Sequence, residues 1–366
     1  MDLHFRRFCL FRPFNYAETF RAGPKFSEYI YQRMISRYII IIVLCCFGIA
    51  QAQTYTIEFR PEDMQRRYKY MEGIVTSPDV QLQYLDWKSD KPAIILITGL
   101  GDTPYLYESL ADSLSNDFRV IAYARRDHGL SKAFNSKYDN ATLVSDLKLL
   151  MDSLQLEKAN LLGWSMGGNE ITGFATAYPQ RVDKLIYFEA GYDMSDPGFS
   201  IMISSIPESA YATEADMQSV DAYREWYHNF WVGDVEWNDV LEKNFQGSIH
   251  IKPDGSVENV PNDTIFRNIL SEVMQYHRSY KKITAPALVI YAPTFMHSPG
   301  NEPEMLDAYD KMDASIVIPW RNRSRSQVKN QLKTARIMEV PTGSHISFLF
   351  LNEEFLVKSI REFLKS

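Results

Sequence analysis

From residue 80 onward, apolar and polar positions change rhythm in a repeating way. Val80–Trp87 alternates as a half-buried strand does. "AIILIT" at Ala93–Thr98 is a short continuous apolar run of the kind a strand shows when both faces are covered. Tyr105–Leu114 then has helical spacing. The strand Phe118–Ala124, the helix Ala141–Leu154, the strand Ala159–Trp164, the helix Met166–Ala177 and the strand Lys184–Glu189 follow. Strands separated by helices of this length predict right-handed βαβ units. The expected fold class is therefore α/β, a mostly parallel central sheet with helices on both faces.

The rhythm stops at Gly191. It resumes at Pro286–Ala292, "PALVIYA", then at Ala335–Val340, and closes with the helix Glu353–Leu364. A gap of about 90 residues is too long for a plain loop, and this one has helical periodicity of its own. It predicts a lid subdomain, 191–282, inserted into a core formed by 53–190 and 283–366. Within it, Tyr223, Trp226, Tyr227, Phe230 and Trp231 share one helical face. That stripe packs the lid onto the body. Trp226 and Phe230, together with Trp164, are also candidates to line an apolar substrate pocket. "IKPDGSVENV" (251–260) predicts a hairpin around Asp254–Gly255. The run 321–333 carries five positive charges and is expected to be a solvated helix face, with an anion-binding surface as the alternative.

The N-terminus reads differently. Arg37 precedes the apolar run Tyr38–Ala50, and Ala50-Gln51-Ala52 forms an A-x-A site, the pattern of a secretory signal peptide. Thirteen apolar residues fall short of the roughly 20 that a spanning helix needs. The expectation is a leader over 1–52, with a signal peptide at 34–52 starting from Met34, and a secreted or periplasmic product. An uncleaved leader is the alternative and the one route to membrane association.

Cys9, Cys45 and Cys46 all lie in that leader, so the mature chain would have no thiol for catalysis or metal binding. Seven of the 39 Lys/Arg and three of the 46 Asp/Glu also lie there, which leaves a net charge of −11 on the remaining 314 residues. Such a balance argues against nucleic acid as a partner. No cofactor is expected.

The chemistry centres on Gly163-Trp164-Ser165-Met166-Gly167, between a buried strand and a helix. Strand ends of a parallel sheet are where ligands bind. Flanking glycines allow the sharp turn that lifts a serine hydroxyl above the sheet. The N–H of Met166, at the helix start, is placed for a developing oxyanion. This segment resembles the G-x-S-x-G nucleophile elbow of the α/β-hydrolase superfamily, and the resemblance extends over most of 80–190 and 283–366. It implies the fold of that family, with a helical lid inserted between strands 6 and 7, and Ser165 as nucleophile.

Three further segments fit the same family. Thr98-Gly99-Leu100-Gly101 stands where the family has H-G-x-G, which implies the backbone N–H of Leu100 as second oxyanion donor, with Thr98 replacing a histidine. Arg126-Asp127-His128-Gly129-Leu130-Ser131 looks like the R-G-H-G-x-S loop, so His128 is read as structural, and Asp127 replaces a glycine. Pro341-Thr342-Gly343-Ser344-His345 matches the position of the catalytic histidine. An imidazole suits the base role because its ordinary pKa lies near 6.5.

The triad acid is the departure. The loop after "PALVIYA" has no acid before Glu302. Some family members carry the acid at the end of the preceding strand, where this chain has Glu189, a lone carboxylate among Tyr, Phe and Ala. Glu189 is favoured, and Glu302, Asp193 and Asp307 remain as alternatives. The function expected is an exported carboxylesterase-like serine hydrolase acting on a small hydrophobic ester or amide. The alternatives are an aminopeptidase or thioesterase of the same family, or a non-catalytic binding protein on the same scaffold.

Overall fold

The computed structural model describes residues 56–59, 69–233, 235–297 and 303–366. The leader and Glu302 lie outside them.

The strands, in chain order, are β1 Thr56–Phe59, β2 Met71–Thr76, β3 Val80–Trp87, β4 Ala93–Ile97, β5 Arg119–Tyr123, β6 Lys132–Ala133, β7 Ala159–Trp164, β8 Val182–Phe188, β9 Ile249–Ile251, β10 Val257–Asn259, β11 Ala287–Tyr291 and β12 Ala335–Glu339. The main sheet runs β1-β2-β3-β5-β4-β7-β8-β11-β12, with β6 beside β3. From β5 to β12 the pairs are parallel, while β1, β2 and β3 add antiparallel strands at one side. The continuous apolar runs sit centrally. Every residue of β4 and of β7 is buried, because helices cover both faces and no polar side is needed.

Successive residues of a strand face opposite ways, and the core divides accordingly. Ile95, Ile97 and Leu161 join one layer with Leu147, Ile171 and Phe174. Ile94, Leu96, Leu162 and Trp164 join the other with Leu110, Leu356 and Ile360. The covering helices are α1 Glu108–Leu114, α2 Asn140–Ser153, α3 Gly167–Ala177 and, at the C-terminus, a helix over Glu353–Lys365. Asp139 caps α2 by accepting from the Thr142 N–H at 3.0 Å. The stretch expected as one helix from Tyr105 begins as a 3-10 turn, Pro104–Tyr107, and only then becomes α1.

Between β8 and β11 the chain forms α4 Pro197–Ser205, α5 Val220–Tyr227, α6 Asp239–Gly247, the β9–β10 hairpin and α7 Asp263–Gln275. The aromatic stripe runs along α5 and the π-turn His228–Val232 that follows it. Tyr223, Tyr227, Leu241 and Phe245 form a separate small core there. After β11 come α8 Pro303–Met312, α9 Ile318–Gln331, then β12, the short α10 Phe348–Leu351 and α11 Glu353–Lys365.

The basic run is not a plain solvated face. Arg321 is buried, Arg323 pairs with Asp196 at 2.7 Å and Arg325 pairs with Glu339 at 2.8 Å.

Candidate active site

β7 ends at Trp164, α3 begins at Gly167, and Ser165 takes the bend between them with φ 53°. A left-handed φ costs a residue with a Cβ about 1–2 kcal/mol, so the surroundings must hold it. The Ser165 N–H donates to the Phe188 carbonyl at 3.3 Å, and its carbonyl accepts from the Gly168 N–H at 3.0 Å. The flanking glycines are required by close approach. A Cβ on Gly163 would collide with the Gly167 carbonyl, and one on Gly167 would lie 2.9 Å from the Ile97 carbonyl.

His345 reaches this point from the loop after β12. Its N–H donates to the Phe295 carbonyl at 3.1 Å, and its ring lies 4.2 Å from that of Phe295. Nε2 lies 2.9 Å from Ser165 Oγ, and Nδ1 lies 2.7 Å from Glu189 Oε2. With a carboxylate against Nδ1, the proton belongs there, which leaves Nε2 to accept from the serine hydroxyl.

Glu189 is the residue after β8 and has φ 48°. It is fully buried, and its other oxygen, Oε1, accepts from Tyr192 Oη at 2.6 Å and from the Ala292 N–H at 2.7 Å. Arg321 completes the surroundings. It donates to the Pro293 carbonyl at 2.8 Å, to the Ala292 carbonyl, and to Tyr192 Oη at 3.2 Å, with a nitrogen 3.9 Å from Glu189 Oε1. A buried carboxylate with this set of donors is compensated.

The other candidates for the acid are engaged elsewhere. Asp193 accepts from Ser195, and Asp307 pairs with Lys311 at 2.6 Å on the surface. Glu302 is not among the described residues.

The loop carrying Leu100 is held from beneath. Arg125, buried, donates to the carbonyls of Thr98 and Gly99, both at 2.9 Å, and pairs with Glu170, which also accepts from Tyr123 Oη at 2.7 Å. A Cβ on Gly99 would lie 3.5 Å from Ser165 Cβ, so this backbone passes directly by the serine. Met166 is the N-cap of α3, where helix N–H groups lack intrahelical partners. The backbone around Gly99 and the start of α3 at Met166 thus both lie beside the serine. Thr98 is buried and donates to the Asp102 carbonyl at 3.4 Å, a local bond that steadies the turn.

The alpha/beta hydrolase fold family matches residues 92–241. A carboxylesterase from Bacillus subtilis superposes with a TM-score of 0.55 at 16% identity, over 81% of this chain and 91% of that one, a likeness of fold. This chain has the fold of the α/β hydrolases, and its residues 92–241 match their family. Among relatives by sequence, an uncharacterised protein of Mycobacterium tuberculosis is 32% identical over 121 residues, 33% of this chain and 36% of that protein. The 3-oxoadipate enol-lactonase 2 of Acinetobacter baylyi is 30% identical over 118 residues, 32% of this chain and 44% of the lactonase. The matched stretch therefore spans well under half of each relative's length.

His128 keeps the structural place that this hydrolase-fold loop implies. It is buried, and Nδ1 donates to the Arg126 carbonyl at 3.0 Å. Burial, and then the charge of Arg125, lower its pKa from the ordinary value to about 3. Asp127, with φ 59°, adopts the backbone that a glycine usually supplies, and its carboxylate holds the turn through the Ala133 N–H at 2.8 Å and Tyr138 Oη at 2.7 Å.

A cavity of about 500 Å³ opens beneath the inserted helices, walled by Leu100, Gly101 and Asp102 on one side and the α5 stripe on the other. Trp226 and Phe230 line it as expected, with Tyr223, Tyr227 and Trp231. Ser165 and His345 are not in its wall; the cavity meets the site through the Leu100 loop. Trp164 corrects the sequence expectation. Standing one residue before the serine on β7, it points to the opposite face, where it is buried against Tyr107 and Phe348 and donates from Nε1 to the His345 carbonyl at 3.1 Å. It supports the histidine loop and does not line the cavity.

No sequence motif marks Arg321, Tyr192 or Asn244. Asn244, on α6, is buried and ties the insertion to the Leu100 loop by accepting from the Thr103 N–H at 2.8 Å and donating to Tyr227 Oη at 3.0 Å. The one available signal was Arg125, a cation ending the apolar run of β5.

Proposed function

We propose that this chain is an exported serine hydrolase that cleaves an ester, or a related acyl bond, of a small hydrophobic substrate through an acyl-enzyme. The observation that carries the reading is the continuous line Ser165 Oγ to His345 Nε2 at 2.9 Å and His345 Nδ1 to Glu189 Oε2 at 2.7 Å.

Ser165 Oγ attacks the acyl carbon while its proton passes to Nε2. The resulting imidazolium is stabilised by Glu189, which keeps the ring in the required orientation. The N–H groups of Leu100 and Met166 receive the oxyanion. His345 then returns the proton to the departing alkoxide, and the C–O bond breaks. Water, deprotonated by the same nitrogen, attacks the acyl-serine and regenerates Oγ–H. The aromatic cavity suits an apolar group on one side of the ester. Export rests on the leader pattern in the sequence.

A fluorophosphonate probe tests the nucleophile. The wild type should be labelled at Ser165 and Ser165→Ala should stay unlabelled. A wild type that does not react would favour a binding protein on this scaffold.

A further inference from the structure

Three charged side chains line the cavity among the described residues: Asp102, Asp263 and Arg267. Asp263 and Arg267 are exposed on α7, whereas Asp102 is only partly accessible. Asn244 Nδ2 donates to its Oδ1 at 3.2 Å. Among the described residues no donor reaches Oδ2. That oxygen lies 3.0 Å from the point where a Gly99 Cβ would sit, and Ser165 Cβ lies 3.5 Å from the same point. Asp102 Oδ2 and Ser165 Cβ can therefore be no further apart than those two spans laid end to end.

Arg125, the buried cation of this region, is already committed to Glu170 and to the Thr98 and Gly99 carbonyls. Burial pushes the Asp102 carboxyl up to about 7, against the lowering effects of Asn244 and Arg125. A carboxylate left with an unbound oxygen in an apolar enclosure is costly until a donor or cation meets it.

We infer that the cavity takes a substrate carrying a protonated amine, which donates to Asp102 Oδ2 while the scissile carbonyl lies over Ser165. The inference rests on the proposed hydrolase reading for the role of Ser165 and names the substrate class of that same site. Leu100, Trp226, Phe230, Phe266 and Leu270 would cover the alkyl part of the amine. Their low polarity strengthens the attraction between the two charges. The chain's net charge of −7 favours the approach of a cation. The groups facing Asp102 are Asn244 and Tyr227 from the insertion, Tyr107 and Arg125 from the body, and Asp263 and Arg267 across the cavity.

Calorimetric binding to Ser165→Ala, which needs no turnover, tests this. Two isosteric pairs exchange an ammonium nitrogen for carbon: β-alanine ethyl ester against ethyl butyrate, and 2-(dimethylamino)ethyl acetate against 3-methylbutyl acetate. Near neutral pH, at least one ammonium ester should bind roughly tenfold or more tighter than its isostere. Asp102→Asn in the same background, which can still accept from Asn244, should bring that ratio close to one. The preference should also fade as pH falls below about 7, where Asp102 takes up a proton. Equal affinities in both pairs, no binding, or a preference that survives Asp102→Asn overturns the inference. Absence of probe labelling at Ser165 would instead strike the hydrolase reading and leave this binding result standing.

Discussion

Glu189 sits one residue past the end of β8, where a left-handed φ of 48° turns its side chain toward His345. Each of its neighbours has a distinct task. Oε2 meets the imidazole, Oε1 takes Tyr192 Oη and the Ala292 N–H, and Arg321 holds the carbonyls of the loop that carries that N–H. Glu189→Gln keeps the volume and offers an amide where the imidazole needs an acceptor. It should lower kcat on a p-nitrophenyl ester by about 10³–10⁴ with little change in KM. Full activity would move the acid elsewhere. Arg321 acts through Glu189 and the Ala292–Pro293 backbone, as a positioning residue. Hydrogen bonds to charged groups are worth about 1.5–3 kcal/mol, so Arg321→Met should cut kcat roughly ten- to hundredfold. Arg321→Lys, keeping a cation, should recover part of it. An effect confined to thermal stability, with kcat intact, would mean that Arg321 serves only the fold.

Asn244 makes several of the polar contacts by which the inserted helices meet the body. It bonds Thr103, Asp102 and Tyr227 at once. Asn244→Ala leaves those groups without their partner in a buried place, which should cost about 1–3 kcal/mol in urea unfolding. An unchanged urea midpoint would show the contact to be dispensable. Truncating the cavity wall by Trp226→Ala or Phe230→Ala should raise KM for hydrophobic esters more than it lowers kcat.

The elements differ in how far the sequence discloses them. β4, β7 and β11 are apolar throughout because both faces are covered, and they are readable within a residue or two. Ser165 and His345 follow from the turn motifs around them, and Glu189 from being a carboxylate that ends an apolar strand. Arg321 and Asn244 escape such a reading because most of their partners are backbone groups or side chains far along the chain, and no local pattern encodes such a bond. Trp164 misleads for a simpler reason. As the last residue of β7 it shares the face of Leu162, in the layer with Phe348, so it braces the His345 loop from below.

Across the whole molecule, acid sensitivity is built into the loop that supports the site. His128 remains neutral in the fold down to about pH 3, whereas the unfolded chain takes that proton near the ordinary value of 6.5. The contribution is complete above pH 6.5 and is lost as pH falls toward 3, at about 1.4 kcal/mol per pH unit for a single proton. His128→Asn keeps a donor for the Arg126 carbonyl and removes the titration. Its urea midpoint should therefore fall less steeply with acid than that of the wild type, and equal slopes would show that His128 does not govern the loss.

The leader belongs to the same scale. Under the proposed export, N-terminal sequencing of the secreted product should begin at Gln53, and a start upstream would mean that no such cleavage occurs.

The central claim is that Ser165 becomes acylated. Rapid quenching of the wild type with a p-nitrophenyl ester, followed by peptide mass spectrometry, tests it most directly. The account predicts an added acyl mass on the peptide containing Ser165, formed with a burst of p-nitrophenol and absent in Ser165→Ala. Turnover with no acylated peptide, or acylation that persists in Ser165→Ala, would contradict it.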